Sequence, residues 1–498
     1  MKIGYFVLLL VISSIAIPSY ARDWSSYSSE NFTIYSDVRP GKAIQLLKEF
    51  EIFRQLAFFS LGIPPKPSNN KMKILMYAKS GEYRKVGPKN TIGFFINTTA
   101  GPRMVIGSSR GTISRQEILY HEYIHYLMRE HSTLTYPRWY DEGLAEVLGA
   151  TTIKGSKATI GAIPEGRSLS IRSERPFKID ELLAPDQEDD SLFYQSRFYA
   201  YAWLFTHYLQ ISALRENPEL EGQTTDYIQR FNRGEDSQEA FFASFGKTPE
   251  EMDTELRKYR NQRRFTVLTV DLEEFQGEIE RAELGPGEQV YLLADIAWRV
   301  GKEDVALEYL EDIDQNDATF AQALSLAAVL ENHKDEEDKI RLAKSYAEKS
   351  IALAPNDSQV LTNYAHWLVD NRSRLEEQEE VHTTDVVTLI QEQINFSQNA
   401  TSIDPTNVEA LRFLWQGQLE NGDGIEALKT MMLAYQEEPF SVGINYTIGR
   451  HLIGLRRSDL ALPFIERVRN WSHSIEQRKE MNELVDKIRK ENASKESE

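Results

Sequence analysis

Residues 121–128 read His-Glu-Tyr-Ile-His-Tyr-Leu-Met. On a helix His121 and His125, four apart, stand one above the other on the same face. Two imidazoles so placed can grip one metal ion, and Glu122 beside the first can reach a water bound to that ion. The chain holds only nine histidines, and a chance match to this spacing is expected in roughly one such chain per hundred. Ser114-Arg115-Gln116-Glu117 has the form of a capping box, which predicts a helix start just before the motif. The stretch therefore predicts a helix that carries a metal site.

A catalytic zinc takes three protein ligands and keeps a fourth position for water. The stretch 135–150, TYPRWYDEGLAEVLGA, supplies a candidate. Sixteen residues separate His125 from Glu142, enough for a loop and a return helix. Glu142 is expected to ligate the ion. Glu146, one turn on, is expected to accept a hydrogen bond from a ligand imidazole and so orient its ring. The flanking Trp139, Tyr140, Leu144, Val147 and Leu148 are apolar, so this helix is expected to be buried, and a buried carboxylate needs a partner. His131 does not complete a longer three-histidine motif, because Met128 stands where that motif needs glycine. The third ligand is read as carboxylate.

Taken together, His121-Glu122-x-x-His125 and Pro137-Arg138-Trp139-Tyr140-Asp141-Glu142-Gly143-Leu144-Ala145-Glu146 resemble the gluzincin superfamily of zinc metallopeptidases. Within it, roughly residues 30–212 look most like the bacterial peptidase-MA-like group, relatives of the aminopeptidase N and thermolysin branches. The resemblance implies an α+β zincin-like catalytic domain and Zn2+ held by His121, His125 and Glu142. It also implies hydrolysis of peptide bonds by zinc-activated water, with Glu122 as general base. The aminopeptidase branch has a spacer of eighteen residues where this chain has sixteen, which marks a relative of that branch. In the same branch a tyrosine opens a Tyr-x-x-small-aromatic helix and assists the reaction. Tyr199-Ala200-Tyr201-Ala202-Trp203 resembles it and makes Tyr199 the expected oxyanion donor, with Tyr194 and Tyr201 as rivals.

Upstream, residues 22–110 read as α/β. NFTIYS and KMKILMYA have strand character, and the segment from Gly41 to Gly62 has apolar residues at helical spacing. IGFFINTT and RMVIGS flank Ala100-Gly101-Pro102 as a hairpin. It is either a plain core hairpin or an edge that binds an extended peptide by adding it to the sheet. Residues 111–265 read as the helical metal-site part, with an excursion at 151–190 and a helix from Ser196 to Ile211.

Residues 266–285 read as a linker, and from 286 the pattern changes to paired helices. Three helix ends recur around Pro355, Pro405 and Pro439, and the last interval is 34 residues, the tetratricopeptide period. The other interval is 50 and holds the acidic insertion RLEEQEEVHTTD. Ala343 and Ala427 each stand twelve before a proline, where paired helices of such a repeat pack closely. Residues 286–487 are thus expected to form four or five degenerate repeats in an all-α tetratricopeptide-like helical solenoid, and 488–498 a frayed charged tail.

The bulk composition bounds the function. A chain of 498 residues is expected to hold two or three domains. Its net charge of −19 opposes binding to nucleic acid or to anionic membranes, which needs excess Lys and Arg. Lys2, the apolar run behind it, and Ser19 and Ala21 read as a signal peptide over 1–21, cleaved after Ala21. There is no cysteine, so disulfides and thiol chemistry are excluded. The expectation is a periplasmic or secreted zinc metallopeptidase acting on a peptide or protein, with repeats that recruit substrate or a protein partner and no stable membrane insertion. The alternative is a non-catalytic repeat scaffold carrying a degenerate zincin domain.

Overall fold

The computed structural model describes residues 24–64, 71–89, 91–98, 101–108, 114–131, 134–172, 176–183, 191–214, 217–334, 336–376, 383–471 and 475–496. The signal segment 1–21 lies outside them.

Among the described residues there are nine strands: β1 (Ser25–Ser28), β2 (Phe32–Ser36), β3 (Met72–Met76), β4 (Gly93–Thr98), β5 (Gly101–Ile106), β6 (Thr152–Lys154), β7 (Lys157–Ile160), β8 (Leu268–Asp271) and β9 (Glu280–Glu283). Six form a mixed sheet in the order β4-β5-β3-β2-β1-β9. Helix α1 (Pro40–Ser60) makes the crossover that the parallel pair β2–β3 requires. The short α2 (Ser80–Val86) follows β3, and β4 returns antiparallel to β5 as an outer strand. The hairpin, the two strands and the first helix stand where the sequence pattern puts them.

One face of the sheet is covered by α1 and by α3 (Arg115–His131). Phe32 and Ile34 of β2 point to this side and join Phe50 and Phe53 of α1 and Tyr120 and Tyr123 of α3 in one core. The rings of Phe53 and Tyr120 stack 3.7 Å apart. This packing fixes α3 against the sheet and so aims its other side, with His121 and His125, outward.

The chain continues through α4 (Arg138–Gly149), the β6–β7 hairpin, α5 (Ser168–Ile171), α6 (Ile179–Leu183), α7 (Leu192–His207), α8 (Glu219–Asn232), α9 (Ser237–Phe245) and α10 (Pro249–Arg260). The helix expected from Ser196 starts earlier, because Ser191 caps it by accepting from the Tyr194 N–H. Residues 266–285, expected as a linker, are woven into this half. β8 pairs with β7 and β9 pairs with β1, antiparallel in both cases.

The C-terminal half is helical throughout its described residues. Five antiparallel pairs stack in sequence: α11 (Pro286–Arg299) with α12 (Glu303–Glu311), α13 (Phe320–Asn332) with α14 (Glu337–Leu353), α15 (Ser358–Glu376) with α16 (Thr383–Ile403), α17 (Val408–Glu420) with α18 (Gly424–Glu437), and α19 (Val442–Gly454) with α20 (Ser458–Trp471). A last helix, α21 (Ile475–Glu496), packs on α20. Ala343 and Ala427 are fully buried, as close helix packing demands. Gly301 and Gly422 turn the chain within their pairs at positive φ, 72° and 87°. The 488–498 tail is corrected: α21 runs through it to Glu496, Ile488 is buried, and Glu491 accepts a hydrogen bond from Ser458 Oγ at 2.9 Å.

The two halves share a core. Trp24, Leu75, Tyr77 and Val105 on the second face of the sheet pack with Ala294, Ile296 and Ala297 of α11 and Leu326 of α13. A buried chain of charges crosses the same boundary. Arg103 of β5 pairs with Asp295 of α11. Asp295 also accepts from Arg299 Nε at 2.8 Å, and Arg299 makes a two-pronged pair with Glu409 of α17 at 2.9 and 2.7 Å. The far end of the array returns to the first half. Arg467 Nη1 donates to the Glu130 carbonyl at 3.3 Å, and Thr135 Oγ1 to Asn470 Oδ1 at 3.0 Å. A Cβ on Gly101, at the hairpin tip, would fall 2.8 Å from Glu438 Oε1.

Removing one member of a buried charge chain strands the others in low dielectric. Asp295→Ala is therefore expected to lower stability by about 3–5 kcal/mol, read as a fall in the urea midpoint. An unchanged midpoint would show that the charges do not hold this boundary.

Candidate metal centre

Three helices build the cluster. α3 carries His121 and His125 on adjacent turns, and α4 folds back across it to bring in Glu142. The first arm of the expected cap is present, with Ser114 Oγ accepting from the Glu117 N–H at 3.0 Å. α7 packs on α4, and Gly143 is the reason the two can approach so closely. A Cβ there would lie 2.1 Å from Thr206 Oγ1 and 2.5 Å from the Ala202 carbonyl oxygen. No side chain fits between position 143 and the α7 backbone.

His121 Nε2 and His125 Nε2 are 3.1 Å apart. Glu142 Oε2 lies 3.3 Å from the first and 3.2 Å from the second. Ligands bonded to one tetrahedral zinc are separated by roughly 3.3 Å, so the three atoms already have the spacing that such an ion requires. The donor set, two imidazoles and a carboxylate, suits zinc. His121 and Glu142 each keep 17% of the side chain exposed, so the cluster opens to solvent on one side.

Glu122 is half-buried and makes no hydrogen bond or ion pair among the described residues. Tyr199, on α7, holds its hydroxyl 3.5 Å from Glu142 Oε1. The Glu142 carboxylate and burial raise the Tyr199 pKa, so the phenol stays protonated and able to donate. The rivals are placed elsewhere. Tyr201 is buried and accepts from Arg260 Nη1 at 2.8 Å, and Tyr194 packs on Phe177.

Glu146 is placed differently from expectation. Its Oε1 is 3.6 Å from His121 Nδ1, too far for a hydrogen bond. Arg167, from the 151–190 excursion, instead holds it by two bonds of 2.9 and 2.7 Å. The residue that does orient an imidazole is Asp141, whose Oδ1 lies 2.9 Å from His125 Nδ1. Arg129 Nη2 donates to its other oxygen at 3.1 Å. The sequence reading missed Asp141 and Arg129. The signal was present, since Asp141 adjoins Glu142 and Arg129 stands one turn after His125.

Burial opposes charge on His125, but Asp141 and Glu142 outweigh it and raise its pKa well above the usual histidine value. Burial likewise works against the charge of Glu142, and the two histidines overcome it and hold this carboxyl well below its usual range.

No family model matches the chain, and no curated protein matches it. Solved structures do match. A thermophilic TPR protein of Thermus thermophilus is 13% identical over 40% of this chain and 98% of its own, with a TM-score of 0.33. PilF of Pseudomonas aeruginosa is 14% identical over 41% and 88%, at 0.31. The APC/C hetero-tetramer Cut9–Hcn1 is 12% identical over 62% and 51%, at 0.30. These likenesses decide nothing about activity.

Two outcomes are expected of metal uptake. A metal ligand must be deprotonated, and the raised His125 pKa means a proton is bound at neutral pH. Zinc added to the metal-free chain should release protons, read with an indicator in weak buffer, and its affinity should fall as pH falls. Asp141→Asn should weaken zinc binding by about 10–100-fold, measured against a competing chelator.

Proposed function

We propose that the chain is an exported zinc-dependent metallopeptidase whose helical repeats recruit substrate or a protein partner. The observation that carries the proposal is the triangle of His121, His125 and Glu142, with the uncommitted Glu122 beside it. Zinc in that triangle would lower the pKa of water and polarise a peptide carbonyl.

The chain's own residues supply the remaining parts. Glu122 takes the proton of the attacking water and passes it to the leaving amine. The Tyr199 hydroxyl donates to the carbonyl oxygen as negative charge develops on it. Asp141 and Arg129 hold the His125 ring, and Gly143 lets Glu142 lie close under Tyr199. β4 runs beside α3, with Gly93 against Ile118 and Phe95 near Tyr126, so the outer strand passes the His121–His125 turn. An extended peptide added to that strand would cross the cluster. Export rests on the signal-like segment 1–21, and the periplasm or the outside is the proposed place of action. No helix among the described residues is long and apolar enough to cross a membrane.

A second reading has its own observation. The five stacked pairs resemble a protein-binding array, with a cavity of about 330 Å³ between α17 and α19 lined by Arg412, Trp415, Ser441 and Ile444 among others. On this reading the chain is a periplasmic scaffold and the first half a degenerate zincin domain.

The two are separated by metal content and by cleavage of a labelled unstructured polypeptide. The peptidase reading expects Glu142→Ala to carry about one zinc fewer per chain than wild type, Glu122→Gln to keep its zinc, and Glu122→Gln to cleave on the order of a hundredfold more slowly or worse. Equal zinc in wild type and Glu142→Ala, or cleavage indifferent to Glu122, would leave the scaffold.

A further inference from the structure

Away from the cluster of His121, one other set of side chains among the described residues brings three metal-ligating atoms together: His333, His366 and Asp370. It lies in the helical array. His366 and Asp370 are four apart on α15 and so share one face. His333 is the first residue past α13, the neighbouring helix.

His333 Nε2 is 3.3 Å from Asp370 Oδ2, and His366 Nε2 is 3.7 Å from Asp370 Oδ1. Both imidazoles thus turn the same nitrogen toward one carboxylate. The other nitrogen of His333 is committed, with Nδ1 2.8 Å from Glu303 Oε1 at the start of α12. A carboxylate on the far nitrogen is the usual partner of a metal-ligating histidine, because it fixes the tautomer and the ring direction.

A protonated His333 held between Glu303 and Asp370 accounts for that side chain alone. It leaves His366 over, since the contact of His333 Nε2 with Asp370 Oδ2, at 3.3 Å, does not involve that ring. His366 is packed between the rings of Phe413 and Trp298, 4.9 and 5.7 Å away, and its Nε2, 3.7 Å from Asp370 Oδ1, is beyond hydrogen-bond reach of that carboxylate. The exposed fractions of His333, Asp370 and His366, 31%, 24% and 16%, leave a solvent side for a fourth ligand. Arg412 of α17 faces His366 as an opposing charge.

We propose that His333, His366 and Asp370 form a second divalent-metal site, for zinc or another first-row ion that accepts imidazole and carboxylate. The ion would tie the end of α13 to the middle of α15, and through Glu303 to α12. The site is independent of the proposed peptidase chemistry, since none of its residues touches the first cluster.

The test is zinc stoichiometry and affinity of the full chain, titrated against a chromophoric chelator after metal removal. His366→Asn and Asp370→Asn are each expected to bind about one ion fewer than wild type, whatever the first cluster holds. Glu303→Gln, at the partly exposed start of a helix, is expected to weaken that same ion by about 10–100-fold without loss of fold by circular dichroism. It carries the test if the α15 variants do not fold. Equal counts in wild type and folded His366→Asn, or an affinity unmoved by Glu303→Gln, would overturn the site.

Discussion

Arg103, Asp295, Arg299 and Glu409 form a line of alternating charge through the boundary between sheet and helical array, and the relation of the two halves depends on it. Apolar contact brings α11 onto the sheet, but apolar contact is non-directional. Leu75, Tyr77 and Val105 would accept the alanines of α11 in more than one register. The guanidinium of Arg103 accepts one carboxylate position, and the two-pronged bond of Arg299 to Glu409 carries the same constraint on to the fourth pair. Burial pushes the Asp295 pKa up, and the two arginines more than offset it and hold it below the usual carboxylate value. The pair therefore stays ionised in the interior, where any other alignment would leave a charge alone.

The consequence is structural economy. A sheet needs both faces covered, and here one face is covered by α1 and α3 and the other by the first helices of the array. The array is thus the second layer of the domain that carries the candidate metal centre. β8 and β9 add to this by stitching residues 268–271 and 280–283 of the connection to the two sheets.

Much of this was legible in the sequence, and the parts that were not share a cause. His121, His125 and Glu142 could be read because helical spacing alone puts two of them together and a short return brings the third. The helix pairs could be read because Pro355, Pro405 and Pro439 recur after their ends. Residues 266–285 were read as a linker although LTVD alternates, with Leu268 and Val270 packed on the core; ERAE is exposed and joins β1 by backbone pairing alone, which leaves no apolar alternation. The pairing of Glu146 with Arg167 was invisible because the partners lie on different elements brought together by packing. The end of α21 was misread for a related reason: its charged residues suggest fraying, while a few positions such as Val485 and Ile488 hold it to α20.

A helical repeat array normally takes its curvature from the small rotation between successive repeats. This one is fixed at two places on the same domain. Its first pair is clamped to the sheet through Asp295. The turn after α18 and the end of α20 meet the C-terminal end of α3 and the β4–β5 tip through Glu438, Arg467 and Asn470. The span between is therefore set by the domain as well as by the repeats. Nearest-neighbour packing alone would not require Gly101 to lie bare beneath Glu438, or Arg467 to reach the Glu130 carbonyl. Those contacts tie the far pair to the helix that holds His121 and His125, so the outer strand, that helix and the groove between α17 and α19 belong to one frame.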